Sequence, residues 1–133
     1  MIRTASTSDI PQIERLMRSE PGFWNEEWPA DVLHKAIHAS DGLGFVWEEQ
    51  GTICGFICAH NLGFRGYLSE LIVSKEARGK NVGAQLVQRI EDELRSQGCP
   101  VVIADVWKSA EAFYRKAGWN PPDVILLAKR INK

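Results

Sequence analysis

The amino-acid sequence predicts an α+β (mixed α/β) fold, with a central mixed, mostly antiparallel sheet and helices on both faces. Two patterns carry this prediction. Three short apolar segments between residues 45 and 73, separated by turn residues, read as a hairpin meander. Residues 67–106 then read as strand, long amphipathic helix and strand, a unit that closes as a right-handed parallel crossover. A length of 133 residues suits one domain spanning 1–133.

Each element has its own signal. Residues 2–5 form a short first strand. Ser8 or Asp9 caps a helix over 10–18, Pro11 fits its first turn, and Ile10, Ile13, Leu16 and Met17 make its apolar stripe. Pro21-Gly22 ends it. A second helix over 29–39 turns Val32, Leu33, Ala36 and Ile37 inward. The meander strands are 45–48, 52–59 and 67–73. In the long helix, 82–96, Val82, Leu86, Ile90 and Leu94 recur every four residues, Val87 widens the stripe, and Gly98 stops the helix. Residues 101–106 are nearly all apolar, which predicts a strand buried on both faces. Ser109 caps a short helix ending at Lys116. A last strand is expected over 124–128, after Pro121-Pro122, which forbid regular pairing.

Composition narrows the function. Hydrophobic residues are 44%, charged residues 25%, and the formal net charge is -1. That balance gives no support for a nucleic-acid partner or an anionic membrane surface, both of which favour a basic surplus. No segment is long and apolar enough for a bilayer span, and no long apolar region follows the N-terminus as in a signal peptide. The three cysteines, Cys54, Cys58 and Cys99, lack metal-site spacing and histidine partners. They read as small buried hydrophobes with free thiols, so no metal and a cytoplasmic location are expected.

The segment richest in chemistry is Leu71-Ile72-Val73-Ser74-Lys75-Glu76-Ala77-Arg78-Gly79-Lys80-Asn81-Val82-Gly83-Ala84. A strand ends at Val73, and a Gly-containing loop then opens the long helix. Loop amides, unpaired helix N–H groups and the helix dipole make an anion site fit for a phosphate or pyrophosphate. Gly79 and Gly83 allow close backbone approach, and Arg78 and Lys80 can add charge-assisted contacts. No Gly-Lys-Ser/Thr closes the loop, so it is not a nucleotide P-loop. Taken alone, Arg78-Gly79-Lys80 would also suit a plain strand–helix turn with solvated basic residues.

A second segment, Ala110-Glu111-Ala112-Phe113-Tyr114-Arg115-Lys116-Ala117-Gly118-Trp119, shifts the balance. Together the two segments resemble the GNAT superfamily of N-acetyltransferases. That family has Arg-Gly-x-Gly-x-Gly/Ala after its fourth strand and Ala-x-x-Phe-Tyr-x-x-x-Gly-Phe after its fifth. Ile2-Arg3-x-Ala5-x-x-x-Asp9 also resembles a family N-terminus. Asn81 replaces a usual glycine, Trp107 a common asparagine, and Trp119 the usual Phe.

The resemblance implies a GNAT-like acyl-coenzyme A N-acyltransferase fold and acetyl-coenzyme A as co-substrate. Its pyrophosphate would sit on the amides of Arg78, Gly79, Lys80, Asn81, Val82, Gly83 and Ala84. Its pantetheine arm would lie along Leu71, Ile72 and Val73 as an added strand, where strands four and five splay apart. Leu68 and Leu71 are three residues apart, which breaks strict alternation and hints at a bulge. A backbone N–H near Ile72 or Val73 would stabilise the oxyanion, and Tyr114 matches the family's general acid. On spacing alone, Tyr114 reads first as a core aromatic; the family match is what reverses that order. The base is open between Glu70, His60 acting through water, and a water chain; Glu70 lies nearest in sequence. Ser69 stands where some relatives carry an acid.

The acceptor pocket is expected at residues 20–28, where Trp24, Glu27 and Trp28 suit a cationic amine with an apolar body. The tryptophans also suit a purely anchoring role. Family members acetylate small molecules or protein amines and are often dimers, so a homodimer belongs to the same expectation. The competing reading is an acyl-coenzyme A sensor or interaction module with the same fold and no transfer activity.

Overall fold

The computed structural model describes residues 1–132. The chain runs β1 (Ile2–Thr4), α1 (Ile10–Ser19), α2 (Val32–Ser40), β2 (Gly44–Glu49), β3 (Thr52–Asn61), β4 (Gly66–Val73), α3 (Val82–Ser96), β5 (Val102–Ile103) and α4 (Glu111–Lys116). Short 3-10 turns precede α1, α3 and α4. The strands form one five-stranded sheet in the order β1-β2-β3-β4-β5. The first three pairings are antiparallel and the last is parallel. The predicted mixed, mostly antiparallel sheet is therefore present. No helix among the described residues is long and apolar enough to cross a membrane.

Helices cover both faces. Phe45, Ile57, Ala59 and Leu68 point to one side and pack with Val82, Leu86, Val87, Ile90 and Leu94 of α3 and Tyr114 of α4. Val46, Phe56, Cys58 and Ile72 point to the other side and meet Ile13, Leu16 and Met17 of α1 and Leu33 of α2. This division follows from the period-two alternation of strand side chains. The strand buried on both faces is β3, the middle of the sheet, where residues 56–59 are fully enclosed.

Four expectations require correction. The apolar run at 101–106 yields only a two-residue strand, and Val101, Ile103 and Val106 are exposed. The reason is positional: β5 is the sheet's edge. The strand expected over 124–128 does not form, and Val124, Ile125, Leu126 and Leu127 are exposed. Cys58 is buried, and that burial pushes its thiol up to about 11; Cys54 and Cys99 are only partly covered, and all three are free. The second helix starts at Val32, three residues later than periodicity indicated.

The first helix is also held differently from a simple cap. The Asp9 carboxylate looks backward. It accepts the Ser6 backbone N–H at 2.8 Å and a two-pronged contact from Arg3, at 2.8 and 2.9 Å. Arg3 also donates to Glu48 at 2.8 Å, which ties β1, β2 and the start of α1 together. The Arg3 guanidinium is the main reason that the buried Asp9 carboxyl is held down at about 2. A carboxylate depressed in the folded state contributes stability that is complete above its ordinary value near 4 and lost as pH falls toward 2. Asp9→Asn is expected to cost roughly 2 kcal/mol at neutral pH. Denaturant melts from pH 7 to pH 2 check this, because the wild-type advantage should vanish across the acid end.

Candidate active site

The site begins with an irregularity in β4. Cys58 faces Glu70, whereas the next residue, Ala59, faces Leu68. Ser69 is thus the extra residue of a β-bulge, as the spacing of Leu68 and Leu71 hinted. The Ser69 hydroxyl donates to the Cys58 carbonyl at 3.1 Å and lies 3.1 Å from His60 Nε2. The bulge lets Leu68, Leu71 and Val73 all serve the α3 side of the sheet.

The second irregularity is the splay between β4 and β5. They pair only at Gly66–Val102 and Tyr67–Ile103. Beyond these residues the strands part, and two cavities open there. One, of about 510 Å³, is lined by Leu71–Val73, by Ala77–Gly79, by 81–84 at the start of α3, and by Phe113 and Tyr114. The other, of about 260 Å³, is bounded by Gly22, Phe23 and Trp28 on one side and by 68–71, 104–107 and Tyr114 on the others. Phe23, Leu71, Ala110 and Tyr114 border both, so the two form one groove with Tyr114 at the junction.

The larger cavity ends on a helix N-terminus. Gly79 (φ 80°) and Asn81 (φ 66°) both take the left-handed conformation that turns the chain into α3. Asn is among the few residues with a side chain that visit this region routinely, which explains how it replaces glycine here. The first N–H groups of α3 have no partner within the helix, and the helix dipole adds positive character there. Gly83 serves a packing purpose as well: a Cβ there would stand 3.3 Å from the Phe113 ring. Arg78 donates to the buried carboxylate of Glu20 at the end of α1, fastening the loop to the opposite wall.

The smaller cavity is acidic and aromatic. Trp107 packs against Phe23 with ring centres 5.3 Å apart, and Trp28 meets Trp24 edge-on at 5.2 Å. Asp105 accepts a hydrogen bond from the Tyr67 hydroxyl. Burial, with the Asp105 charge adding to it, pushes the Glu70 carboxyl up to about 7. Burial and then the Glu70 charge push the Tyr114 phenol up to about 12. The Tyr114 ring is locked edge-on between Phe113 and Trp119, and the Trp119 indole N–H donates to Glu91 at 3.2 Å. No described residue hydrogen-bonds the Tyr114 hydroxyl. Among the described residues, no cluster of three or more His, Cys, Asp or Glu is placed to hold a metal ion.

The model of the Acetyltransferase (GNAT) family matches residues 10–119. The chain belongs to the GNAT family of acetyltransferases.

This N-acetyltransferase is 30% identical over 111 residues to acetyltransferases of Yersinia pestis and Yersinia pseudotuberculosis, across 81% of this chain and 77% of theirs. Its fold is similar to that of a PaiA N-acetyltransferase from Thermoplasma acidophilum in complex with coenzyme A (TM-score 0.81, 20% identity, covering 94% of this chain and 92% of that one). It is also similar to a glucosamine-6-phosphate N-acetyltransferase from Arabidopsis thaliana (TM-score 0.74, 23% identity, covering 99% and 98%).

Within this acetyltransferase, Tyr114, Glu70, Leu71 and Trp28 meet around the groove. Ile72, Val73, Arg78, Gly79, Asn81, Val82, Gly83 and Ala84 line its larger end, whereas Lys80 is exposed outside it. Of the three residues singled out for the acceptor, Trp24, Glu27 and Trp28, the first two do not line the groove. Trp24 packs behind Trp28 with the Arg18 guanidinium over its ring at 4.5 Å, and Glu27 pairs with Arg130. Trp107 faces the smaller cavity and not the larger one. Sequence reasoning passed over Asp105. Its place just beyond the end of a parallel strand, where ligands collect in open sheets, was the available signal.

Proposed function

We propose that this acetyltransferase transfers the acetyl group of acetyl-coenzyme A to a primary amine on a small, cationic molecule with an apolar body. The observation that carries the reading is the meeting of two unlike cavities at one free phenol, that of Tyr114. The larger cavity, with amides at its closed end, suits a pyrophosphate and a pantetheine arm. A fold neighbour is seen in complex with coenzyme A, which supports this assignment. The smaller cavity, about 260 Å³ with Glu70, Asp105, Phe23, Trp28 and Trp107 in its walls, suits an ammonium group on an apolar body. Its size favours a small molecule over a protein segment.

Bound acetyl-coenzyme A supplies an activated carbonyl and a thiolate leaving group. Glu70 takes the proton from the acceptor's ammonium, leaving the neutral amine to form the new C–N bond. In this reading the Val73 N–H, of the two candidates at Ile72 and Val73, stabilises the carbonyl oxygen. Ser74 N–H donates to Cys54 on β3, and alternation along the strand turns the Val73 N–H toward the splay. As the C–S bond breaks, Tyr114 gives its proton to the sulfur, and the proton that the nitrogen sheds in becoming the amide restores the phenol.

The test is thiol release from acetyl-coenzyme A across an amine panel, with calorimetry of the cofactor alone. Turnover should concentrate on cationic amines with aromatic or alkyl bodies and be lowest for amines that also carry a carboxylate. Tight cofactor binding without thiol release from any amine would favour a sensor in place of an enzyme acting here.

A further inference from the structure

Trp107 is 55% exposed, yet its side chain faces the smaller cavity. It reaches from the connection after β5 to the connection after α1. Its ring centre lies 5.3 Å from that of Phe23, and its far edge rests on Gly22. A Cβ at Gly22 would overlap the end of the Trp107 ring and stand 3.2 Å from two further ring carbons. Gly22 also takes a left-handed φ of 85°, so two separate constraints select glycine there. Both backbones that the ring joins are held. Ala110 N–H donates to the Trp107 carbonyl at 2.9 Å, and Phe23 N–H donates to the Glu20 carbonyl at 3.2 Å. The ring itself is held by packing. Trp47 and Trp119 anchor their indole N–H groups on glutamates, whereas no described residue accepts from that of Trp107.

We propose that Trp107 sets the size of the acceptor amine, an inference that rests on the acceptor reading of the smaller cavity given above. The half-exposed ring is a bar across the open side of a space of about 260 Å³. Glu70 and Asp105 in its walls recognise an ammonium group, but a charge does not measure the length of the body attached to it. The ring does. A short apolar body fits behind the bar and gains an aromatic contact. A longer one must push the ring off Gly22 and Phe23. With both backbones held, a smaller side chain at 107 opens the cavity without moving either connection. Trp107 does not border the larger cavity, so this selection is separate from cofactor binding.

Calorimetry on the protein loaded with coenzyme A, which carries no acetyl group to transfer, tests the assignment with benzylamine, naphthylmethylamine and biphenylmethylamine. The wild type should bind benzylamine about tenfold or more tightly than biphenylmethylamine. Trp107→Ala should weaken the first, strengthen the last and level or reverse that order, with coenzyme A affinity unchanged. Gly22→Ala, which lifts the ring from its seat, should shift the order the same way and add nothing to Trp107→Ala. Coenzyme A binding also reports whether each variant is folded. Should Trp107→Ala fail that check, Trp107→Phe decides, because its shorter ring should give an intermediate order. An order unmoved by the substitution, a Gly22→Ala shift that persists without the indole, or no amine bound by wild type and variant alike would each overturn the role of Trp107. Thiol release from acetyl-coenzyme A with the same amines judges transfer separately. A wild type that sorts these amines by size yet releases no thiol keeps the Trp107 bar and sinks the enzyme reading.

Discussion

Tyr114→Phe should lower kcat by roughly 10²–10⁴-fold, the usual worth of a positioned general acid, with coenzyme A affinity nearly unchanged. The substitution removes one oxygen and keeps the ring. The ring is what packs between Phe113 and Trp119, so the helix and both cavities should persist. The hydroxyl makes no bond to a described residue, so no protein group is orphaned by its loss. Burial holds the phenol's pKa at about 12, so the proton is present throughout the working range. The loss should therefore be constant from pH 6 to 9. Steady-state kinetics with calorimetry checks this, and a variant that turns over at the wild-type rate removes Tyr114 from the chemistry.

Glu70→Gln should lower kcat/KM by about 10²-fold at pH 8 and abolish the acid limb of the wild-type profile. A base works only when ionised, and burial places the Glu70 carboxyl at about 7. Wild-type kcat/KM should therefore fall about tenfold per pH unit below 7. The stability effect runs the other way. A carboxyl raised in the folded state holds its proton to higher pH than in the unfolded chain. Its contribution is complete below the ordinary value of 4.5 and is lost as pH rises toward 7. At pH 8 the buried charge costs roughly 3 kcal/mol, so the glutamine variant should melt higher there while being slower. Equal melting at pH 8, with an acid limb still present, would place the base elsewhere, in His60 or in water.

The fold was legible where signals are local. The four-residue repeat from Val82 to Leu94 needs only one helix face to be read, and the structure buries that face as expected. The odd spacing of Leu68 and Leu71 reported the bulge, because period-two alternation tolerates no extra residue unnoticed. The loop from Arg78 to Ala84 and the segment from Ala110 to Trp119 pointed to the family, and the family model agrees. The acceptor side was less legible. Its wall joins Gly22, Phe23 and Trp28 to Asp105 and Trp107, some 80 residues away, and nothing local encodes that meeting.

Sheet position lay outside what composition could report. The apolar runs at 53–59 and 101–106 look alike as text, yet one is the doubly covered centre and the other an edge of two residues. An apolar run states that a segment needs cover. Which element provides the cover is set by packing at long range. The sequence alone therefore carried the element types up to residue 119, the Gly-containing loop and the family. The three-dimensional arrangement settled which strand is central, which carboxylates share a cavity with Tyr114, and that Val124 to Leu127 stand uncovered, because each depends on contacts between residues far apart in the chain.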